Sequence, residues 1–256
     1  MCLILFGIDT SPEFPLILAA NRDEFYDRPT RAMEFWPDRP DILAGKDLQA
    51  GGTWMGISRQ GRFAALTNYR DLSNLKPDAP SRGELILRVL EYMGSVPEAL
   101  KDLDETANRY NGFNLLAGEA GQVFCYSNRN RTRTRVNPGI HGLSNHLIDT
   151  PWPKVANGKT QFKSVVDADP ADNDGLFKLL TDTTRPDDSH LPSTGIGLEW
   201  ERILSPLFIQ SPTYGTRSST LMRVSRSGEI QVVERTFGNS PREIEDRKFS
   251  LYPPGP

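Results

Sequence analysis

Two short apolar runs near the start of the chain, residues 3–8 (LILFGI) and 16–20 (LILAA), constrain the fold more than any other feature. Their length and branched side chains fit strands, and their nearly unbroken apolar character fits strands covered on both faces. Asp9-Thr10-Ser11-Pro12-Glu13 between them is rich in turn formers, so the pair reads as a β-hairpin that begins at the second residue. A sheet buried on both sides needs a layer above and a layer below it.

The rest of the chain supplies those layers. Residues 53–58 and 62–67 form a second hairpin across Arg59-Gln60-Gly61, and Gly51, Gly52 and Gly56 around Trp54 let backbone approach closely there. The intervening stretch is broken by Pro29, Pro37 and Pro40 and reads as loop. Ser81-Arg82-Gly83-Glu84 reads as a capping box, after which Leu85, Ile86, Val89, Leu90 and Met93 recur at helical spacing. A second helix is expected from near Pro97 through Leu100, Leu103, Ala107 and Tyr110, closed by Gly112. Strands resume at 113–117 and 122–126, and the alternating Arg and Thr of 131–136 make an exposed or edge strand. Gly142-Leu143-Ser144-Asn145 reads as a polar loop, and 153–210 as helical with breaks at Pro170, Pro186 and Pro192. A last strand pair, 219–224 and 229–237, precedes a tail that reads as loosely held from about residue 247. No repeat, low-complexity tract or linker divides the 256 residues, so residues 1–256 read as one α+β domain with two sheets packed face to face and helices outside.

Bulk properties narrow the function classes. A net charge of −3 argues against non-specific nucleic-acid binding, which needs a clearly basic surface. The opening apolar run is too short for a transmembrane span and lacks the basic leader and cleavage site of a signal peptide. Cys2 and Cys125 are the only cysteines, so a disulfide framework is not expected and a reducing cytoplasm fits. Cys125 falls within an apolar strand and reads as inert packing. Paired-Cys and His-x-x-x-His spacings are missing, so no metal site is expected.

Cys2 carries the chemistry. Its small side chain permits removal of Met1, which would leave a thiol and a free α-amine on one residue. Those groups titrate near ~8.5 and ~8, so a nucleophile and its base would share one position. In the expected hairpin the second strand ends in Asn21-Arg22-Asp23-Glu24 and returns to the level of Cys2. Arg22 there can favour the thiolate or fix a substrate carboxylate, and Asp23 can hold the amine by a charge-assisted hydrogen bond. A polar turn with a surface ion pair, worth at most ~1 kcal/mol, is the competing account.

That tetrapeptide resembles the signature of the NRDE family, also called the Transport and Golgi Organisation protein 2 family. Arg28-Pro29-Thr30, Gly51-Gly52-Thr53-Trp54-Met55-Gly56, the segment 61–70 (GRFAALTNYR), Ser81-Arg82-Gly83-Glu84, Gly142-Leu143-Ser144-Asn145, Pro151-Trp152-Pro153-Lys154 and Arg217-Ser218-Ser219-Thr220 extend the match in order along the chain. The resemblance implies a four-layer αββα sandwich of the N-terminal nucleophile hydrolase type. More distantly, Cys2, Arg22-Asp23 and Asn145 are similar to the bile-salt hydrolase and penicillin V acylase group. Carried over, Cys2 is the nucleophile, Asp23 orients the amine, Arg22 tunes the charge, and Asn68 or Asn145 donates to the oxyanion. Arg217 is a candidate for closing the site, with Asn21 and Trp54 as ligand contacts.

Two functions follow from the resemblance. One is hydrolysis of an amide or thioester through Cys2, which requires no cofactor and acts on a small acyl or amide compound. The other is a non-catalytic carrier of haem or of an acyl-CoA or lipid-like ligand, as the family's association with haem trafficking and lipid homeostasis implies. His141 and His146, flanking Ser144-Asn145, are the candidate axial ligands for haem, with Cys2 as a thiolate. The arginines of Arg129-Asn130-Arg131-Thr132-Arg133-Thr134-Arg135 read as a solvated strand able to receive an acidic ligand.

Overall fold

In a computed structural model, which describes residues 2–119, 121–238 and 244–254, the chain builds two antiparallel sheets and five α-helices among the described residues. The strands are β1 (Cys2–Ile8), β2 (Leu16–Phe25), β3 (Thr30–Trp36), β4 (Arg39–Asp47), β5 (Met55–Ser58), β6 (Phe63–Asn68), β7 (Phe113–Glu119), β8 (Gln122–Ser127), β9 (Thr132–Arg135), β10 (Gly139–Leu143), β11 (Tyr214–Val224), β12 (Ile230–Phe237) and β13 (Ile244–Leu251). The helices are α1 (Gly83–Leu90), α2 (Val96–Thr106), α3 (Pro153–Ala168), α4 (Asn173–Leu180) and α5 (Leu198–Ile203). One sheet has the order β10-β1-β2-β11-β12-β13, and the other runs β3 to β9 in sequence.

Alternation along the strands explains the unbroken apolar runs. Ile4, Phe6 and Ile8 of β1 enter the core between the sheets with Leu18, Met33, Phe63, Leu116 and Met222. Leu3 and Leu5 point the other way and pack with Phe162, Leu176 and Leu180 of α3 and α4. On the far side, α1 and α2 cover Ala64, Leu66, Leu115 and Tyr126 of the second sheet. The order is helix, sheet, sheet, helix. Each fully buried Leu or Ile contributes about 1.5–3 kcal/mol, so both faces of β1 stabilise the sheet that carries Cys2.

Several expectations need correction. Residues 30–47 are a hairpin, β3–β4, not a loop, because Pro29 precedes the first strand and Pro37 sits in its turn. Ser81-Arg82-Gly83-Glu84 is not a capping box: Arg82 is the N-cap of α1 and makes no side-chain cap, while Ser81 accepts from Gly83 N–H. The capping box lies at Ser95 and Glu98, at the start of α2. Gly142-Leu143 ends strand β10, whose pairing with β1 was invisible in a run that reads as polar. The segment from about 247 is not a loose tail, since β13 pairs with β12 over Ile244–Leu251; Gly255 and Pro256 lie outside the described residues. Between α4 and α5 the chain is largely irregular.

Candidate active site

The register of β1 on β2 sets Cys2 directly opposite Arg22. Residues paired across a rung share a face, so thiol and guanidinium both point between the sheets. Asp23, one position on, faces the α3–α4 layer, and its own backbone N–H reaches back to the Cys2 sulfur. The acid and the cation beside the thiol therefore lie on opposite faces of one strand. Asn21-Arg22-Asp23-Glu24 is strand, not turn, and β2 continues to Phe25.

β11 flanks β2 on its other side. Thr216 pairs with Asp23 and Ser218 with Arg22, with a bulge between them at Arg217. Thr216 Oγ1 donates to Asp23 Oδ1 at 2.7 Å, and the Tyr214 hydroxyl donates to the Asp23 carbonyl at 3.0 Å. Burial raises the Asp23 carboxyl; the charge of Lys154, the Thr216 bond and the charge of Arg22 pull it back. Lys154, 4% exposed on α3, donates to the Leu204 carbonyl at 3.1 Å. Burial brings its ammonium down to about 8 against the pull of Asp23. Beside it, Arg70 and Glu201 form a 2.7 Å ion pair, each side chain 5% exposed. Burial raises the Cys2 thiol as well, with Asp23 adding to the rise and Arg22 opposing it.

A cleft of about 300 Å³ opens at the sulfur. Cys2, Arg22, Trp54, Asn68, Arg82 and Thr53 are among its lining residues. Trp54 lies over Arg22, the guanidinium carbon 4.1 Å from the ring centroid. Two glycines make this possible. A Cβ on Gly45 would lie 2.3 Å from the Trp54 ring, and one on Gly52 would lie 2.5 Å from the Gly83 backbone, which brings the start of α1 to the cleft wall.

The expected site residues divide. Cys2, Arg22, Asp23, Trp54 and Asn68 line the cleft. Asn145 stands behind it: its Nδ2 donates to the Asn68 carbonyl at 2.9 Å, tying β10 to the end of β6. Asn21 faces the helices, where it donates to the Leu180 and Leu207 carbonyls, each at 2.8 Å, and accepts from Ser219 at 2.6 Å. Arg217 lines a neighbouring cavity and donates to the Phe25, Tyr26 and Arg28 carbonyls. His146 bonds Thr150 at 2.8 Å between Tyr69 and Trp152, outside the cleft lining. His141 uses Nδ1 on Asp149 and Nε2 on the Asn137 carbonyl. Cys125 is buried, its thiol pushed up to about 12 by burial. Lys154, Arg82, Thr216 and Tyr214 were not anticipated as site residues. Lys154 and Arg82 sit in segments already singled out, but a lone Lys or Arg in sequence shows nothing of its burial.

The Transport and Golgi organization 2 homolog of Mus musculus is 37% identical over 258 residues, 93% of each chain. Transport and Golgi organization protein 2 of Drosophila melanogaster is 29% identical, covering 93% of this chain and 92% of its own. The fold is similar to the C2A mutant of conjugated bile acid hydrolase from Clostridium perfringens, with a TM-score of 0.54, 10% identity, and 96% and 92% of the two chains covered. It is similar too to the Caenorhabditis elegans ortholog of N-acylethanolamine-hydrolyzing acid amidase, with a TM-score of 0.51, 12% identity, and 86% and 92% covered. At such identities the likeness is one of fold, the αββα architecture of N-terminal nucleophile hydrolases. The family described as Transport and Golgi organisation 2 matches residues 1–239, and the chain belongs to it.

Proposed function

We propose that this protein is an N-terminal nucleophile hydrolase whose Cys2, freed by removal of Met1, cleaves an amide or thioester bond of a small acyl compound. The observation that carries this reading is the pairing of Cys2 with Arg22, with the Asp23 N–H aimed at the sulfur, at the floor of a cleft open to a small molecule. Both structurally similar proteins are named as hydrolases, one of them an amidase, which supports the same reaction class.

In the proposed step the Cys2 α-amine takes the thiol proton as sulfur attacks the carbonyl carbon. The carbonyl π electrons move onto oxygen, where an Asn68 side-chain donor stabilises the charge; one such donor is worth roughly 3–4 kcal/mol. Collapse expels the amine or thiol, which leaves with the proton, and an acyl-cysteine remains. Water, deprotonated by the same amine, then releases the acid and restores the thiol. Asp23 orients the amine from the far face of β2, with Thr216 holding the carboxylate. Arg22 offsets the burial that disfavours the thiolate.

Haem ligation draws no support from the histidines. Both ring nitrogens of His141 are engaged, and neither His141 nor His146 lines the cleft. The test is intact-mass analysis of the purified protein with and without an acyl-thioester probe. The proposal expects loss of Met1 and one acyl adduct that maps to Cys2 and vanishes in Cys2→Ala. Retained Met1 with an unmodified Cys2 removes it.

A further inference from the structure

A second cavity of about 320 Å³ lies beside the Cys2 cleft, and Arg22 and Trp54 line both. The backbone register explains the adjacency. Cys2 pairs with Arg22, Arg22 with Ser218, Ser218 with Thr236 and Thr236 with Glu245, so one rung of side chains crosses five strands of a single sheet. The next rung on that face carries Glu234 opposite Thr220.

Among the described residues, four buried side-chain polar atoms at this cavity have no hydrogen-bond partner: Arg22 Nη1, Arg217 Nε, Ser218 Oγ and Glu234 Oε2. Arg22, Ser218 and Glu234 are 5%, 4% and 0% exposed. Leaving a buried polar group unpaired costs about 1–3 kcal/mol, and four around one cavity is a pattern of ligand sites rather than of packing. Charge points to the ligand's sign. Arg22 from β2, Arg31 from β3, Arg217 from β11 and Arg247 from β13 face two carboxylates, Glu234 of β12 and Glu245 of β13. Glu245 is already paired with Arg247 at 2.9 Å. Glu234 Oε1 accepts from the Met33 N–H at 2.5 Å, while burial lifts its carboxyl to about 7. In its neutral form Glu234 can turn an O–H donor toward an anion.

We propose that this second cavity is a binding site for an oxyanionic group, a carboxylate or a phosphate, held by Arg22 and Ser218 beside the unpartnered Oε2 of Glu234. Strand spacing sets Ser218 two strands, roughly 10 Å, from Cys2. A substrate whose scissile carbonyl sits at the sulfur would therefore carry its anion about that far away. This last point rests on the hydrolase reading; the anion site does not.

Calorimetric titration of the Cys2→Ala protein with inorganic phosphate and, separately, with propionate tests the site without any turnover. Saturable binding of either, with a dissociation constant on the order of 1 mM, is expected. The tighter of the two names the headgroup. Ser218→Ala should weaken it about tenfold, since a hydrogen bond to a charged group is removed. Propionate stays ionised across the range, so its affinity should fall about tenfold between about pH 6 and about pH 8 as Glu234 ionises. Glu234→Gln should abolish that pH dependence, with a thermal melt confirming its fold. No saturable binding of either anion, or affinity indifferent to Ser218→Ala, overturns the proposal. Anion binding intact in a wild-type protein that hydrolyses no acyl-thioester probe would count against the Cys2 chemistry alone.

Discussion

Arg22 lies against the face of Trp54, its guanidinium carbon 4.1 Å from the ring centroid, on the same rung as Cys2. The contact crosses from one sheet to the other and fixes the one guanidinium that faces the thiol across its rung. Trp54→Ala should destabilise the fold by about 3 kcal/mol, through lost burial and the lost cation–π contact. Gly45→Ala should act in the same direction, because its Cβ would meet the ring at 2.3 Å. Chemical denaturation of both variants checks this, and wild-type stability in either would remove the claim that the stack is structural.

Charge at the thiol can be read by alkylation. Burial holds the Cys2 thiol high and Arg22 opposes that rise. Arg22→Met should raise the thiol further, and one unit lowers the thiolate fraction near pH 8 about tenfold. The rate of iodoacetamide modification at Cys2, mapped by mass, should fall accordingly.

Asp23→Asn separates two roles. The Asp23 charge raises the Cys2 thiol, so its removal should speed alkylation. Turnover should nonetheless drop by about a hundredfold or more, because the amine loses its orienting partner. A variant in which alkylation and turnover fall together would show that Asp23 does no more than support the fold.

Lys154 gives a stability signature in alkaline solution. Burial depresses its ammonium to about 8 from an ordinary value of 10.5, so between those values the unfolded chain binds the extra proton. Stability should rise with pH across that window, by at most about 3 kcal/mol for this group. Denaturation midpoints of wild type minus those of Lys154→Met isolate the contribution. A flat difference would show that Lys154 is not a buried cation.

Asp149 works in the opposite range. Burial pushes its carboxyl up, but bonds from His141, Lys159 and the Gly142 N–H outweigh it and hold the group at about 2. Its contribution should be present above about 4 and be lost as pH falls toward 2. Partial exposure trims it to about 1 kcal/mol. Asp149→Asn should flatten that part of the acid-denaturation curve.

Much of this site was legible because a β-hairpin is a local object. Once residues 3–8 and 16–20 are taken as antiparallel neighbours, the position of Arg22 beside Cys2 follows from counting. The opposite faces of Arg22 and Asp23 follow from alternation once β2 is seen to continue through both to Phe25. What could not be read was everything set by distant pairing. β10 docks on β1 across more than a hundred residues, and its polar appearance concealed a strand. Lys154 reaches the acid only because α3 packs on that face of the sheet. The hairpin at 30–47 was missed because prolines at strand starts and turns look the same in sequence as prolines in loops.

Strict alternation would send residues 216 and 218 of β11 to the same side of the sheet. The extra residue at Arg217 breaks that parity, so Thr216 serves the carboxylate on one surface while Ser218 stands beside the guanidinium on the other. Shortening the strand by one residue here would leave one of the two acidic and basic partners without its hydroxyl, however well the remaining ladder re-formed. The insertion is thus a means of wiring both surfaces of one sheet from a single strand.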